Sequence, residues 1–152
     1  MTNFEDIFLA SRGQPVEYEG QIIQLMDAVS VSTHETVRIV RESSKPGWRQ
    51  GIHISTDGHF VVNEQVIPNA VVLWADTAPG TVSLDIYSES GDCYIKNVWD
   101  TGDGTVQSWH NGAAMIVDRN DNVRRYRCND GNPNADFDGL VFRLGVEVAK
   151  PR

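Results

Sequence analysis

Leu140-Val141-Phe142-Arg143-Leu144-Gly145-Val146-Glu147-Val148 is the stretch that decides the fold class. Successive side chains of an extended strand point to opposite sides, so Leu140, Phe142, Leu144, Val146 and Val148 share one face while Arg143 and Glu147 share the other. The run reads as a long strand with one face in a core and one in water. The same period recurs upstream. Val82, Leu84 and Ile86 alternate with Ser83 and Asp85, and Ile52 and Ile54 alternate with His53 and Ser55. Further strands are expected at residues 29–31, 37–41, 59–62, 66–75, 93–99, 113–117 and 123–128.

Turn formers separate these runs: Lys45-Pro46-Gly47, Thr56-Asp57-Gly58, Ala78-Pro79-Gly80, Glu89-Ser90-Gly91-Asp92, Asp100-Thr101-Gly102-Asp103-Gly104 and Arg119-Asn120-Asp121-Asn122. Each supplies a Gly, Pro, Asn or Asp suited to a tight reversal. About nine or ten short strands at this spacing cover their apolar faces only by pairing two sheets. The expectation is an all-β chain: a single antiparallel β-sandwich domain over residues 1–152, jelly-roll-like, with at most one or two short helices. Phe4, Ile7 and Phe8 have the spacing of one helical turn, whereas Ile22-Ile23-Gln24-Leu25-Met26 suits a short helix or a strand.

Composition narrows the function classes. The chain has 152 residues, 21 Asp+Glu against 13 Lys+Arg, and a formal charge of −8. Phosphate neutralisation needs a concentrated basic surface, so nucleic acid is excluded as a partner. At 40% hydrophobic and 22% charged residues the chain is a folded, soluble domain with a core of its own. The longest apolar run, Ala70-Val71-Val72-Leu73-Trp74-Ala75, is strand-sized, well short of the roughly 20 residues of a membrane span. An acidic start, Met1-Thr2-Asn3-Phe4-Glu5-Asp6, lacks the basic and apolar regions of a signal peptide. A cytoplasmic location is the default expectation, with non-classical export left open. Cys93 and Cys128 are then expected as buried free thiols.

The segment Asn129-Asp130-Gly131-Asn132-Pro133-Asn134-Ala135-Asp136-Phe137-Asp138-Gly139 carries most of the chemistry. Oxygen-bearing side chains at Asp130, Asn132, Asn134, Asp136 and Asp138 fall at alternate positions, and a hard cation such as calcium needs six to eight oxygens at about 2.3–2.6 Å. The competing reading is an Asx-rich turn bonded to its own backbone. The run Asp136-Phe137-Asp138-Gly139-Leu140-Val141-Phe142 resembles the acidic loop that enters an apolar strand in small calcium-dependent sugar-binding lectins of bacteria and related β-sandwich modules. That resemblance implies a calcium ion held by Asp130, Asn132, Asn134, Asp136 and Asp138, with sugar hydroxyls completing its coordination. Gly139 stands where the pattern has a further Asp, and Ala149-Lys150-Pro151-Arg152 stands where the lectins end in a Gly carboxylate. Both departures point to one ion rather than a pair.

A second cluster joins Trp99, Asp100 and Asp103 to Trp109, His110 and Asn111. Sugar sites set an aromatic face against the C–H side of the ring and add fixed polar groups for its hydroxyls. Both tryptophans also suit a core. Among the basic residues 119–127, Arg125 or Arg127 is a candidate for gripping a carboxylate or acidic sugar. His53 and His59 flank the expected turn at Thr56-Asp57-Gly58, which would let them meet across a hairpin and bind zinc with Asp57. No nucleophile elbow or phosphate-binding loop is present.

These features describe a non-catalytic binding module, calcium-dependent and carbohydrate- or polyol-binding through loops at one end. The alternatives are an acidic protein-interaction protein, a neutraliser or assembly component without metal, and a polysaccharide hydrolase or lyase. A homo-oligomer or a protein partner is compatible with either binding reading.

Overall fold

The computed structural model describes residues 4–45, 48–108, 113–120, 122–130 and 137–146. In chain order these form α1 (Phe4–Ala10), β1 (Val16–Tyr18), β2 (Gln21–Ile23), β3 (Asp27–Ser30), β4 (His34–Ser44), β5 (Arg49–Val62) and β6 (Gln65–Trp74). Then follow β7 (Thr81–Tyr87), β8 (Asp92–Asp100), β9 (Ala114–Asn120), β10 (Val123–Asn129) and β11 (Leu140–Val146). The fold is all-β and antiparallel, as the alternation requires. In β11, Leu140, Phe142 and Leu144 enter the core and Arg143 faces water, and a register shift at Val141/Phe142 buries Val141 as well. Glu147 and Val148 lie outside the described residues. No described helix is long and apolar enough to cross a membrane.

One continuous path of pairing runs β3-β8-β5-β7-β4-β11-β10-β9, with β6 attached to β5. The path becomes two layers because β5 changes partner. Residues Arg49 to Thr56 pair with β8, whereas His59 to Val61 pair with β7. Since β6 flanks β5 on its other side throughout, both partners meet the same edge of β5, and the strand must bend between them. The bend falls at Thr56-Asp57-Gly58, where the register with β6 also shifts. The expected hairpin turn is therefore a corner inside a 14-residue strand.

The residues that signalled a turn make the corner possible. A Cβ on Gly58 would stand 1.9 Å from the Tyr87 carbonyl oxygen, so only glycine lets β7 come this close. The Asp57 carboxylate accepts from Ser88 Oγ (3.0 Å) and from the Glu89 and Ser90 amides (2.9 Å each), tying the corner to the β7–β8 loop. The zinc expectation falls with the hairpin. His53 and His59 lie on one strand on either side of the bend; His59 stacks on Tyr87 (4.7 Å), while His53 lies beside Val72 and Lys96.

The layers enclose a core of Val29, Val37, Ile39, Ile54, Phe60, Leu84, Ile86, Ile95, Met115, Leu140 and Leu144 around a stacked Tyr126–Phe142 pair (4.6 Å). Cys93 and Cys128 are free and buried here. A seam joins the two ends of the path. Gln24 and Met115 exchange backbone hydrogen bonds (3.0 and 2.8 Å), which answers the open question at residues 22–26 in favour of extended chain. Beside them, the buried Asp27 carboxylate accepts from Gln24 Nε2 (3.2 Å), Arg119 Nη2 (3.0 Å), Arg124 Nη1 (2.7 Å) and the Tyr126 hydroxyl (2.7 Å). A smaller cluster outside β9 packs Phe4 and Phe8 of α1, Ile23, Ala114 and Ile116 around Phe137. The helical spacing of Phe4, Ile7 and Phe8 thus gives a short helix that covers the seam side of the sandwich.

Candidate functional site

Strand register brings the described parts of the two sequence clusters to one end of the sandwich. Arg49 and Gln50, at the start of β5, stand opposite Asp100 and Trp99 at the end of β8. Asn97 Nδ2 donates to the Asn129 carbonyl (3.1 Å), and Gln50 Nε2 donates to Asp130 Oδ2 (2.6 Å). The chain leaving β10 is thereby fixed against β5 and β8. Its return is pinned by Phe137, which takes a positive φ of 55° and packs its ring 5.7 Å from Phe4. A bulky residue in that conformation is held by its surroundings, here the apolar pocket beside α1.

Of the residues expected to bind calcium, Asp130 is buried with its Oδ2 on Gln50, and Asp138 Oδ1 pairs with Lys45 Nζ at 2.7 Å. Asn132, Asn134 and Asp136 lie outside the described residues, as do Trp109, His110 and Asn111. Among the described residues no three His, Cys, Asp or Glu side chains gather as a metal site. Asp100 Oδ1 accepts from the Gly102 and Gly104 amides (2.8 and 3.2 Å), and Asp103 Oδ1 from the Thr105 amide (2.9 Å), so both carboxylates brace their own turn. Trp99 is only 2% exposed, a core residue whose ring lies 6.5 Å from that of Trp48 and nearly parallel to it. Arg125 is forked on Glu42.

Next to these residues is an open cleft of about 430 Å³ lined by Ser44, Lys45, Trp48, Arg49, Gln50, Ala75 and Asp76. One wall is built in layers. Gly51 lies opposite Trp74, and a Cβ there would be 2.8 Å from the indole, so the missing side chain lets the ring lie flat on β5. The Arg49 guanidinium rests 4.3 Å over the Trp74 ring, and its Nε reaches both oxygens of Asp76 (2.8 and 2.9 Å). The other wall is the half-buried Trp48, backed by Trp99.

Gln50 ties the cleft to the chain leaving β10. The residue is 3% exposed, and because a carboxylate accepts, its bond to Asp130 fixes Nε2 as the donor. Among the described residues Oε1 is left buried without a hydrogen-bond partner. Such an acceptor costs about 1–3 kcal/mol until a donor reaches it. No family model, curated protein or solved structure matches the chain. The cleft's own chemistry is therefore what bears on function: an indole wall and the charged heads of Lys45 and Asp76 within one concavity.

Trp48, Gln50 and Trp74 were not singled out from sequence. Gln50 carried a signal: it shares the inward phase of Ile52 and Ile54, and a polar side chain in the apolar phase of a strand calls for a partner. Trp48 follows the Lys45-Pro46-Gly47 turn directly, where a large aromatic at a strand entrance stands at a loop end.

Proposed function

We propose that the protein is a non-catalytic binding module whose cleft at the β5–β8–β10 end takes a carbohydrate or similar polyol. The observation that carries this reading is the half-buried Trp48 indole walling an open cleft whose rim holds Lys45 and Asp76. A sugar ring supplies both complements, a C–H face for the indole and hydroxyls for the polar rim. The volume, about 430 Å³, suits one or two sugar rings in an open groove. Lys45 and Asp76 stand at its rim with donor and acceptor capacity for further hydroxyls.

Calcium held by residues 130–138 is the second component of the proposal. It is separable from the first, because Trp48 acts on the sugar without a metal. A glycan array followed by calorimetry on the responding sugar, with calcium and with chelator, tests both. Saturable binding that Trp48→Ala weakens at least about fivefold supports the cleft, since an aromatic platform contributes on the order of 1 kcal/mol or more. An array with no response, or binding untouched by Trp48→Ala, refutes it. Equal affinity with calcium and with chelator removes the metal and leaves the cleft standing.

A further inference from the structure

We propose that a groove at the opposite end of β10 is a separate binding site for a small carboxylate-bearing ligand, with Arg143 as the principal anion contact. On the outer face of the sheet, Arg125 of β10 and Arg143 of β11 stand directly opposite each other in register, with Asp118 of β9 next in the same row. Two guanidinium groups here share one acidic side chain. Arg125 takes both oxygens of Glu42, through Nε to Oε2 (2.9 Å) and Nη2 to Oε1 (3.4 Å). Arg143 Nε reaches only the already occupied Oε2, at 3.6 Å. That distance is beyond a hydrogen bond, and the Arg143 side chain is half exposed. Among the described residues it has no other ion pair or hydrogen bond, so its planar fork is open to a bidentate anion.

The shape of the surface matches this chemistry. Arg143, Arg125, Asp118, Asn120 and Val123 line an open groove of about 420 Å³. Gly145, opposite Val123, leaves the floor low: a Cβ there would come within 4.0 Å of a Val123 methyl. Val123, 42% exposed, offers an apolar patch beside the cation. Asp118 would repel an anion if bare, but Arg127 Nε lies 3.5 Å from its Oδ2 and offsets that charge. Its remaining acceptor capacity and the Asn120 amide suit hydroxyls. A ligand with one carboxylate on a compact hydroxylated body fits all of these groups, and its carboxylate could come from a sugar acid or from a simple organic acid.

Arginine side-chain and backbone amide NMR of the full chain at low salt tests the site, with D-glucuronate and succinate as probes. Glucose and sodium chloride at matched ionic strength serve as controls. The expected result is a saturable shift of the Arg143 and Arg125 Nε–H signals and of the Gly145 amide with at least one probe, and none with either control. A stronger response to glucuronate assigns a sugar acid, and a stronger response to succinate a simple acid. Arg143→Gln should weaken the response about tenfold, the loss of one charge-assisted pair. Trp48→Ala, in the other cleft, should leave it unchanged. Because Arg143 is half exposed and loosely paired, the Arg143→Gln chain keeps its fold, which an unchanged amide spectrum away from the groove verifies. Absence of saturation with both probes, the same shift with chloride, or full retention in Arg143→Gln overturns the proposal.

Discussion

Replacing Asp27 by alanine should cost the fold about 3–5 kcal/mol, because the substitution leaves several buried donors with nothing to meet. The four donors on this carboxylate differ in what they lose. The Tyr126 hydroxyl sits in a fully buried residue, and stranding it costs about 1–3 kcal/mol. The Arg124 side chain is 26% exposed, so its charge is only partly recovered by water. Arg119 is 52% exposed and turns to solvent at a cost of about 0.5 kcal/mol or less. Gln24 keeps a second acceptor in the Met26 carbonyl. Most of the cost therefore falls on Tyr126 and Arg124. Tyr126→Phe, which leaves Asp27 its other donors, should cost about 1–2 kcal/mol. With a urea dependence of about 2 kcal/mol per molar, the unfolding midpoint should drop by roughly 2 M for Asp27→Ala and by less than about 1 M for Tyr126→Phe. Hydrogen exchange localises the effect. The Gln24 and Met115 amides, which bond across the seam, should lose protection before the β5–β6 amides do. A midpoint shift below about 0.5 M for Asp27→Ala, or seam amides as protected as before, would refute the assignment of Asp27 as the clasp between the end strands.

Gly58→Ala should destabilise by about 3 kcal/mol, read as a fall in melting temperature, because the new methyl collides with the Tyr87 backbone; Gly80→Ala, with nothing within 4 Å, should be near neutral. Burial raises the Cys93 thiol to about 12 and pushes Cys128 up as well, so neither should react with Ellman's reagent in the native protein while both react in denaturant. Burial, followed by the nearby Lys96, holds the His53 imidazole below its ordinary 6.5. The unfolded chain then binds this proton more readily, so stability should fall as the pH drops from about 6.5 through the lower folded value, and His53→Gln should remove that part of the slope in urea titrations. The donors of Ser88, Glu89 and Ser90 outweigh desolvation and keep the Asp57 carboxyl below its ordinary 3.8. Its contribution should be complete above that pH and fade as the pH falls through the depressed value, which an Asp57→Asn comparison below about pH 4 measures.

The fold class was legible because alternation is a local property. Leu140, Phe142 and Leu144 announce their face without reference to any other strand, and so do Leu84 and Ile86. What the sequence concealed was non-local. Thr56-Asp57-Gly58 has the composition of a hairpin turn, and only the approach of Tyr87 shows that the same residues serve a bend in a continuous strand. Val16–Tyr18 went unnoticed as a strand because three residues carry too little periodicity to register. The site was legible in part. Asp100 and Asp103 are turn residues in an Asp-rich loop, whereas Asp130 reaches its partner across 80 positions of sequence. Gln50 supplies that contact, and its importance comes from the carboxylate it meets and the oxygen it leaves over.

The seam has a kinetic consequence as well. Its side-chain bonds join residues 92, 97 and 99 positions apart, among the most distant in the chain, whereas the hairpins of β5–β6 and β9–β10 close over short connections. Loop-closure entropy delays such contacts until the intervening strands have paired, so the clasp forms after the main folding barrier. Mutations at Asp27 or Tyr126 should therefore leave the refolding rate nearly unchanged and appear almost wholly as faster unfolding. The lifetime of the native molecule, as distinct from the speed with which it is reached, is then lengthened by the Asp27 clasp.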